Sequence, residues 1–324
     1  MTDPVQAPDA PLAPNPSFSE QLPGLQLGID STSLGAFKTC PRFYQLSIVE
    51  GWEPRQQSVH LAFGLWVHGA RELYEHKRQQ GLDHDAALCE VMLWVMLETW
   101  DSALGRGWAS GHKLKNRLTL VRSVCWYLDE FGANDPLETV VLANGRPAVE
   151  LSFKFDSGFA FSNGERVTFC GHLDRVATLG GEPFIQDIKT TGSTLSGYFF
   201  DQFTPGNQFS MYALAGRVAF GVPAKGIIVD GMQVAVEFTR CQRGLVTRTE
   251  AQLTEWLSDS YAWLRQMENA AIAQHWPQND KSCGLYGGCQ FKEVCSRNPS
   301  ARPALLRSQF RRRVWSPMTS RGDV

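Results

Sequence analysis

Two strand-forming segments, Cys170–Val176 and Phe184–Thr190, approach one another through Gly180-Gly181. This junction constrains the fold more than any other stretch. A Gly-Gly centre suits a two-residue type I′ turn, whose two central positions both need positive φ. Such a turn sets Leu179 opposite Glu182 and, counting outward, Asp174 opposite Asp187. Facing Cβ atoms lie about 4.5–5.5 Å apart, and like charges placed there repel. Lys189 is two residues beyond Asp187 and shares its face, as does Ile185, while Phe184 and Ile188 line the other. Apolar residues on both faces predict a central strand covered on both sides, where an unpaired charge is costly. Two facing carboxylates beside a lysine make physical sense when a divalent cation sits between them. A solvated face whose charges happen to align is the plainer alternative.

The rest of the chain supplies an ordinary globular background. Its 324 residues are 43% hydrophobic and 20% charged, enough for one large or two modest domains. No apolar run approaches the roughly 20 residues of a membrane span, and no signal peptide is legible, so a cytoplasmic setting is the expectation. In a reducing compartment the eight cysteines do not read as a disulfide framework. The net charge of −2 does not advertise nucleic-acid binding. Its distribution says more: from Ser296 onward seven arginines face one aspartate, against a more acidic remainder. Arg307, Arg311, Arg312 and Arg313 are candidate phosphate contacts there, and a solvated tail is the alternative.

Residues 1–24 carry Pro4, Pro8, Pro11, Pro14, Pro16 and Pro23 and read as a disordered leader. Asp30-Ser31-Thr32-Ser33 starts a helix that is interrupted at Cys40-Pro41 and resumes to about Ile48. A long helix is predicted over Val59–Gln79, with Leu61, Leu65, His68 and Glu72 on one stripe. Two amphipathic helices follow at 84–104 and 114–131. A β-rich centre begins near Pro147 and leads into the hairpin. A helix at about 206–220, a strand at 225–236 and a helix at about 250–274 complete the pattern. The domain expectation is one body over 25–299, with a helical insertion at 80–145, a cysteine segment at 283–295 and a basic tail over 300–324.

In chain order the chemistry-bearing residues are His68, Gly171-x-x-Asp174, Asp187-x-Lys189 and Gln208-x-x-x-Tyr212. This set resembles the PD-(D/E)XK nuclease superfamily, and most of all its RecB-type iron–sulfur branch of exonuclease V-like, AddB-like, CRISPR-associated and phage exonucleases. The resemblance covers about 31–48, 60–75 and 147–296. It implies an α/β, restriction-endonuclease-like mixed sheet flanked by helices. It makes Asp174, Asp187 and His68 metal ligands, with the Ile188 backbone carbonyl a fourth, for Mg²⁺ or Mn²⁺. Lys189 is then expected beside the attacking water, and Gln208 and Tyr212 orient it and the substrate backbone. Glu150 matches a glutamate near such sites, as an outer-shell or second-metal residue. The implied activity is metal-dependent DNA hydrolysis, most specifically by an exonuclease acting on single strands or duplex ends. The rival reading is an idle DNA-binding or recombination accessory subunit of the same fold. No Walker A motif is present, so a helicase enters only as a possible partner.

The cysteines choose the branch. Cys283-x5-Cys289-x5-Cys295 sits among Gly284, Gly287 and Gly288, and Cys40 matches the branch's lone N-terminal cysteine. Four thiolates suit a [4Fe–4S] cluster that ties the first helix to the C-terminal segment. Structural zinc is the alternative. The five residues between Cys283 and Cys289 depart from the branch's commoner spacing of two. Cys89, Cys125, Cys170 and Cys241 read as core.

Overall fold

The computed structural model describes residues 15–319. The chain divides into two compact units, one built from residues up to Gln56, Ser152–Gly171 and Glu250 onward, the other from Gln57–Leu151 and His172–Thr249. The fold class is the mixed α/β one that the sequence predicts: a mixed sheet with helices laid on it.

In the second unit the hairpin organises the sheet. Gly180 and Gly181 have φ of 58° and 84°, as a type I′ turn demands. Leu179 pairs with Glu182, Val176 with Ile185 and Arg175 with Gln186, all antiparallel. The pairing ends at Arg175–Gln186, and just beyond it the Ile188 N–H donates to Asp174 Oδ2 at 3.2 Å. Strand Glu182–Thr191 then runs parallel to Ile227–Val234, with Asp187 beside Val229 and Lys189 beside Gly231. All eight residues of Ile227–Val234 are buried. That run fits a strand with both faces covered. Thr239–Val246 closes the edge antiparallel, a strand that the sequence reading missed.

Helices Val59–Gln79, His84–Glu98 and Arg117–Phe131 cover one face. Their Phe63, Val67, Tyr74, Val91, Leu120 and Val124 form one cluster with Ile188, Met232 and Val234. Full burial of each such side chain contributes about 1.5–3 kcal/mol. The segment expected as an insertion at 80–145 therefore shares a core with the strands that carry Ile188, Met232 and Val234. Helix Asn207–Phe220 lies against the same strand, where a Cβ on Gly216 would come within 3.1 Å of Ile185 Cδ1. Ile185 and Ile188 thus serve opposite faces, as the alternation predicts.

Two packing expectations are corrected here. Leu61 and Leu65 are exposed, because the buried stripe of Val59–Gln79 runs through Phe63, Val67, Ala70 and Tyr74 instead. His68 sits beside that stripe, half-buried. Cys89 is exposed on the outer side of His84–Glu98 and is not core, while Cys170 is fully buried.

In the first unit Asp30 caps helix Ser31–Thr39 through a capping box with Ser33, as its sequence predicts. Helix Glu250–Ile272 buries Leu253, Trp256, Leu264 and Met267. Trp256 meets Phe169 with ring centroids 5.7 Å apart. The leader expectation over residues 1–14 lies outside the described residues. From Asn15 the chain is folded: the Ser17 carbonyl accepts from the Leu27 and Gly28 N–H groups, and Phe18 bridges to Gln26. The tail is likewise built in through Arg312. Helix Arg302–Gln309 leads into Phe310–Arg312, which pairs antiparallel with Trp52–Pro54. Arg321 lies outside the described residues.

Candidate metal and catalytic site

Every predicted metal or catalytic residue of the hairpin set lies in the second unit. His68 projects from the helix onto Asp174, with Nδ1 3.0 Å from Oδ2 and 3.9 Å from Glu150 Oε1. The ligand atoms of His68, Glu150 and Asp174 all lie within 4.8 Å of one another. Glu150 has a φ of +46°, a conformation that costs about 1–3 kcal/mol for a residue with a side chain. Strain of this kind concentrates where a side chain must be aimed, and here it aims a carboxylate at the imidazole. Asp174 Oδ2 also accepts from the Ile188 N–H at 3.2 Å, which locks it across the splayed end of the hairpin.

Asp187 is fully buried and turned toward Lys189, whose Nζ lies 3.0 Å from Oδ1 and 2.7 Å from Oδ2. Only the Oδ1 contact is a directed hydrogen bond; Oδ2 accepts none. The three-residue donor set therefore contains Glu150 in place of Asp187. Lys189 Nζ stands 5.8 Å from the Phe209 ring centroid, and the sequence reading did not single out that aromatic floor. Gln208 Nε2 donates to the Tyr212 hydroxyl at 2.8 Å, so these two meet as their i, i+4 spacing predicts.

The charges act strongly on one another. Burial lowers the His68 pKa, but Asp174, Asp187 and Glu150 outweigh it and push it up to about 9. Burial raises Asp187 to about 6, with the neighbouring Asp174 charge adding and Lys189 opposing. Asp174 is lowered overall, since His68 and Lys189 overcome its desolvation. Lys189 is raised because the two aspartates overcome the effect of burial. Burial and both aspartates hold the Tyr212 phenol well above its ordinary value. A cavity of about 10 Å³, room for roughly one water, is lined by His68, Glu150, Asp174, Arg71, Arg175 and Ile188.

This donor set fits a hard divalent cation. It offers carboxylate oxygens and one imidazole, an Asp187 oxygen without a directed donor, and negative charge that His68 and Lys189 offset.

Arg71, Glu75, Asp135, Arg175, Gln186, Asp230 and Arg243 form a buried network behind the site. Arg175 donates to Gln186 at 2.5 Å, Gln186 to Asp230 at 2.6 Å and Tyr127 to Asp230 at 2.8 Å. Arg243 bridges Asp135 and Asp230 at 2.5 and 2.9 Å. Only the Arg71–Glu75 pair, four apart on one helix, carries a local sequence signal.

The cysteine set lies in the first unit. Asn279 N–H meets Cys40 Sγ at 3.3 Å, Cys283 Sγ lies 3.9 Å from the Asn279 carbonyl, and Cys289 N–H donates to the Cys283 carbonyl at 3.1 Å. Burial raises the Cys289 and Cys295 thiols, and neighbouring thiols of the set add to both. Arg42 N–H and Nε donate to the Pro277 and Trp276 carbonyls, tying the first helical segment to the C-terminal one. The tail arginines are occupied within this unit. Arg311 and Arg313 pair with Glu53 at 2.7 and 3.3 Å, Arg312 lies over the Trp52 ring, and Arg307 also has partners of its own.

Among known proteins, the sequence matches the family model of the PD-(D/E)XK nuclease superfamily over residues 31–296. A solved structure of a candidate exonuclease from Eubacterium rectale shares the fold at TM-score 0.51 and 12% identity, covering 84% of this chain and 89% of that one. A second solved structure aligns at TM-score 0.35 and 14% identity over 83% of this chain and 86% of that one, a likeness that carries no argument. No curated protein matches the chain.

Proposed function

This chain belongs to the PD-(D/E)XK nuclease superfamily, and from that premise we propose a divalent-metal-dependent DNA exonuclease that acts on single strands or duplex ends and carries a structural [4Fe–4S] cluster. The observation behind the catalytic part is the convergence of His68, Glu150 and Asp174 beside the Asp187–Lys189 pair. Mg²⁺ or Mn²⁺ held by His68, Asp174, Asp187 and the Ile188 carbonyl, with Glu150 alongside, would polarise the scissile phosphate and acidify the attacking water. Lys189 stays cationic, so it stabilises charge developing on the phosphate instead of taking a proton. Tyr212 stays protonated and remains a hydrogen-bond donor toward the substrate backbone, with Gln208 fixing its oxygen.

What supports the cluster is that Cys40 meets the C-terminal cysteines: Asn279 N–H reaches Cys40 Sγ at 3.3 Å, Cys283 Sγ lies 3.9 Å from the Asn279 carbonyl, and Cys289 and Cys295 both feel the Cys40 thiol. Four thiolates in one place suit a [4Fe–4S] cluster, with structural zinc the alternative.

The test is degradation of 5′- and 3′-end-labelled DNA by anaerobically purified protein with Mg²⁺ or Mn²⁺, with iron and zinc measured alongside. Asp187→Ala abolishes cutting, and Lys189→Met lowers it by about 10²–10³-fold, the usual effect of losing one charge-stabilising donor. Undiminished cutting by either variant overturns the mechanism. Cleavage of closed circular DNA as fast as linear overturns the exonuclease assignment. Cys289→Ala is expected to lose iron, brown colour and solubility; a soluble, colourless and fully active variant overturns the cluster.

A further inference from the structure

One residue beyond Lys189, Thr190 accepts a hydrogen bond from Lys115 Nζ at 2.9 Å. Lys115 is only 4% exposed, and its ammonium lies 5.3 Å from the Phe63 ring centroid. Thr190 takes one of its three N–H donors. Among the described residues no carboxylate is paired with it, and burial lowers the lysine to about 8. A buried cation without a counter-ion is costly to keep.

Two histidines stand at the same place. The His60 and His112 rings lie 5.0 Å apart at 78°. His60 is lowered by burial, then by Lys115 and His112, so the three basic groups feel one another. His112 Nδ1 accepts from the Leu114 and Lys115 N–H groups at 3.2 and 2.9 Å. That assigns the proton of the neutral ring to Nε2, which is left as a donor. The loop is fastened in this shape: Ser110 Oγ donates to the Lys115 carbonyl at 2.6 Å, and Thr119 Oγ1 to the Leu114 carbonyl at 2.7 Å. His60 lies in the first turn of helix Val59–Gln79, where Ser58 makes no side-chain cap, so first-turn N–H groups add partial positive charge.

Positive charge and donors thus gather at one place, with the half-buried His112 and the exposed His60 in front of a buried lysine. We propose that Lys115, His112 and His60 bind a phosphate of the DNA backbone other than the one being cut. The proposal rests on the nuclease reading. Thr190 follows Lys189 on the strand but takes the opposite face, that of Ile188, over which helix Val59–Gln79 carries both His60 and the candidate ligand His68. A DNA backbone running along that helix toward the candidate metal site would present a phosphate there, and such a contact carries no base preference.

The experiment is fluorescence anisotropy with labelled single-stranded oligonucleotides, without Mg²⁺ or Mn²⁺, each carrying one neutral methylphosphonate at a successive position. Wild type is compared with Lys115→Met and His112→Asn. Asparagine keeps an acceptor for the loop N–H groups and removes the Nε2 donor. Each variant is expected to bind about tenfold more weakly at low salt, with a salt slope shallower by ~0.7 per lost contact. One methylphosphonate position should weaken wild type and leave both variants unaffected. Should Lys115→Met fail to fold, the His112→Asn arm and the wild-type scan carry the result. Variants with wild-type affinity and the same methylphosphonate pattern, while wild type cuts DNA, overturn this site alone. Wild-type protein that neither binds nor cuts any strand overturns the nuclease reading, and this site with it.

Discussion

His68 and Asp187 hold protons more tightly in the folded protein than their types ordinarily do, at about 9 and about 6. The stability that His68 contributes is full below its ordinary value near 6.5 and is lost as pH rises through about 9. Asp187, also raised, runs in the same sense, its share disappearing as pH rises through about 6. Asp174 opposes them, since its lowered carboxyl stabilises above its ordinary value and loses that share as pH falls. A cation must displace the His68 proton, so metal affinity should rise from pH 6 toward 9. Calorimetric titration with Mn²⁺ checks this: the rise should flatten in His68→Asn, and an unchanged slope there would remove His68 from the ligand set. Asp174, Asp187 and Lys189 were legible because one turn fixes their register. Glu150's place among the ligand atoms depends on a backbone conformation that sequence does not reveal for a glutamate, and the Phe209 floor depends on how a separate helix docks.

At the scale of elements, the network of Arg71, Glu75, Asp135, Arg175, Gln186, Asp230 and Arg243 joins helix Val59–Gln79 to four strands immediately behind the candidate metal ligands. Gln186 neighbours Asp187, so what the network holds still is also what aims the carboxylate. Arg175→Met leaves Glu75 and Asp135 short of a cation, and loss of one partner from a buried ion network costs about 3–5 kcal/mol. The urea midpoint should fall accordingly with the m-value unchanged. A shift under about 0.5 kcal/mol would show that the network is solvated. Helices such as Val59–Gln79 and the hairpin strands could be read from periodicity and turn chemistry. The network could not, because its members lie up to about 170 positions apart and obey no local period. The edge strand Thr239–Val246 escaped for a related reason: its arginines and glutamine read as loop until paired with Ile227–Val234.

Across the whole molecule, both ends of the sequence reading changed most. A tail rich in arginine suggested a phosphate contact, yet Phe310 is 3% exposed and stacks on Phe291 with centroids 5.0 Å apart. Phe310→Ala is expected to destabilise by about 3–5 kcal/mol and to lower the melting temperature. A wild-type melting curve for that variant would return the tail to the solvent. Composition alone cannot separate a basic tail from a basic strap, because the deciding residues, Glu53 and Trp52, lie some 260 positions away. The first unit draws on residues before Gln56 and after Glu250, separated by most of the second. On a ribosome adding about 5–20 residues each second, Cys40 and its apolar neighbours wait roughly 12–50 s for Cys283, Cys289 and Cys295 to be made. The proposed cluster could be loaded only after nearly the whole chain has been synthesised, so oxidation of Cys40 during that interval would prevent its assembly.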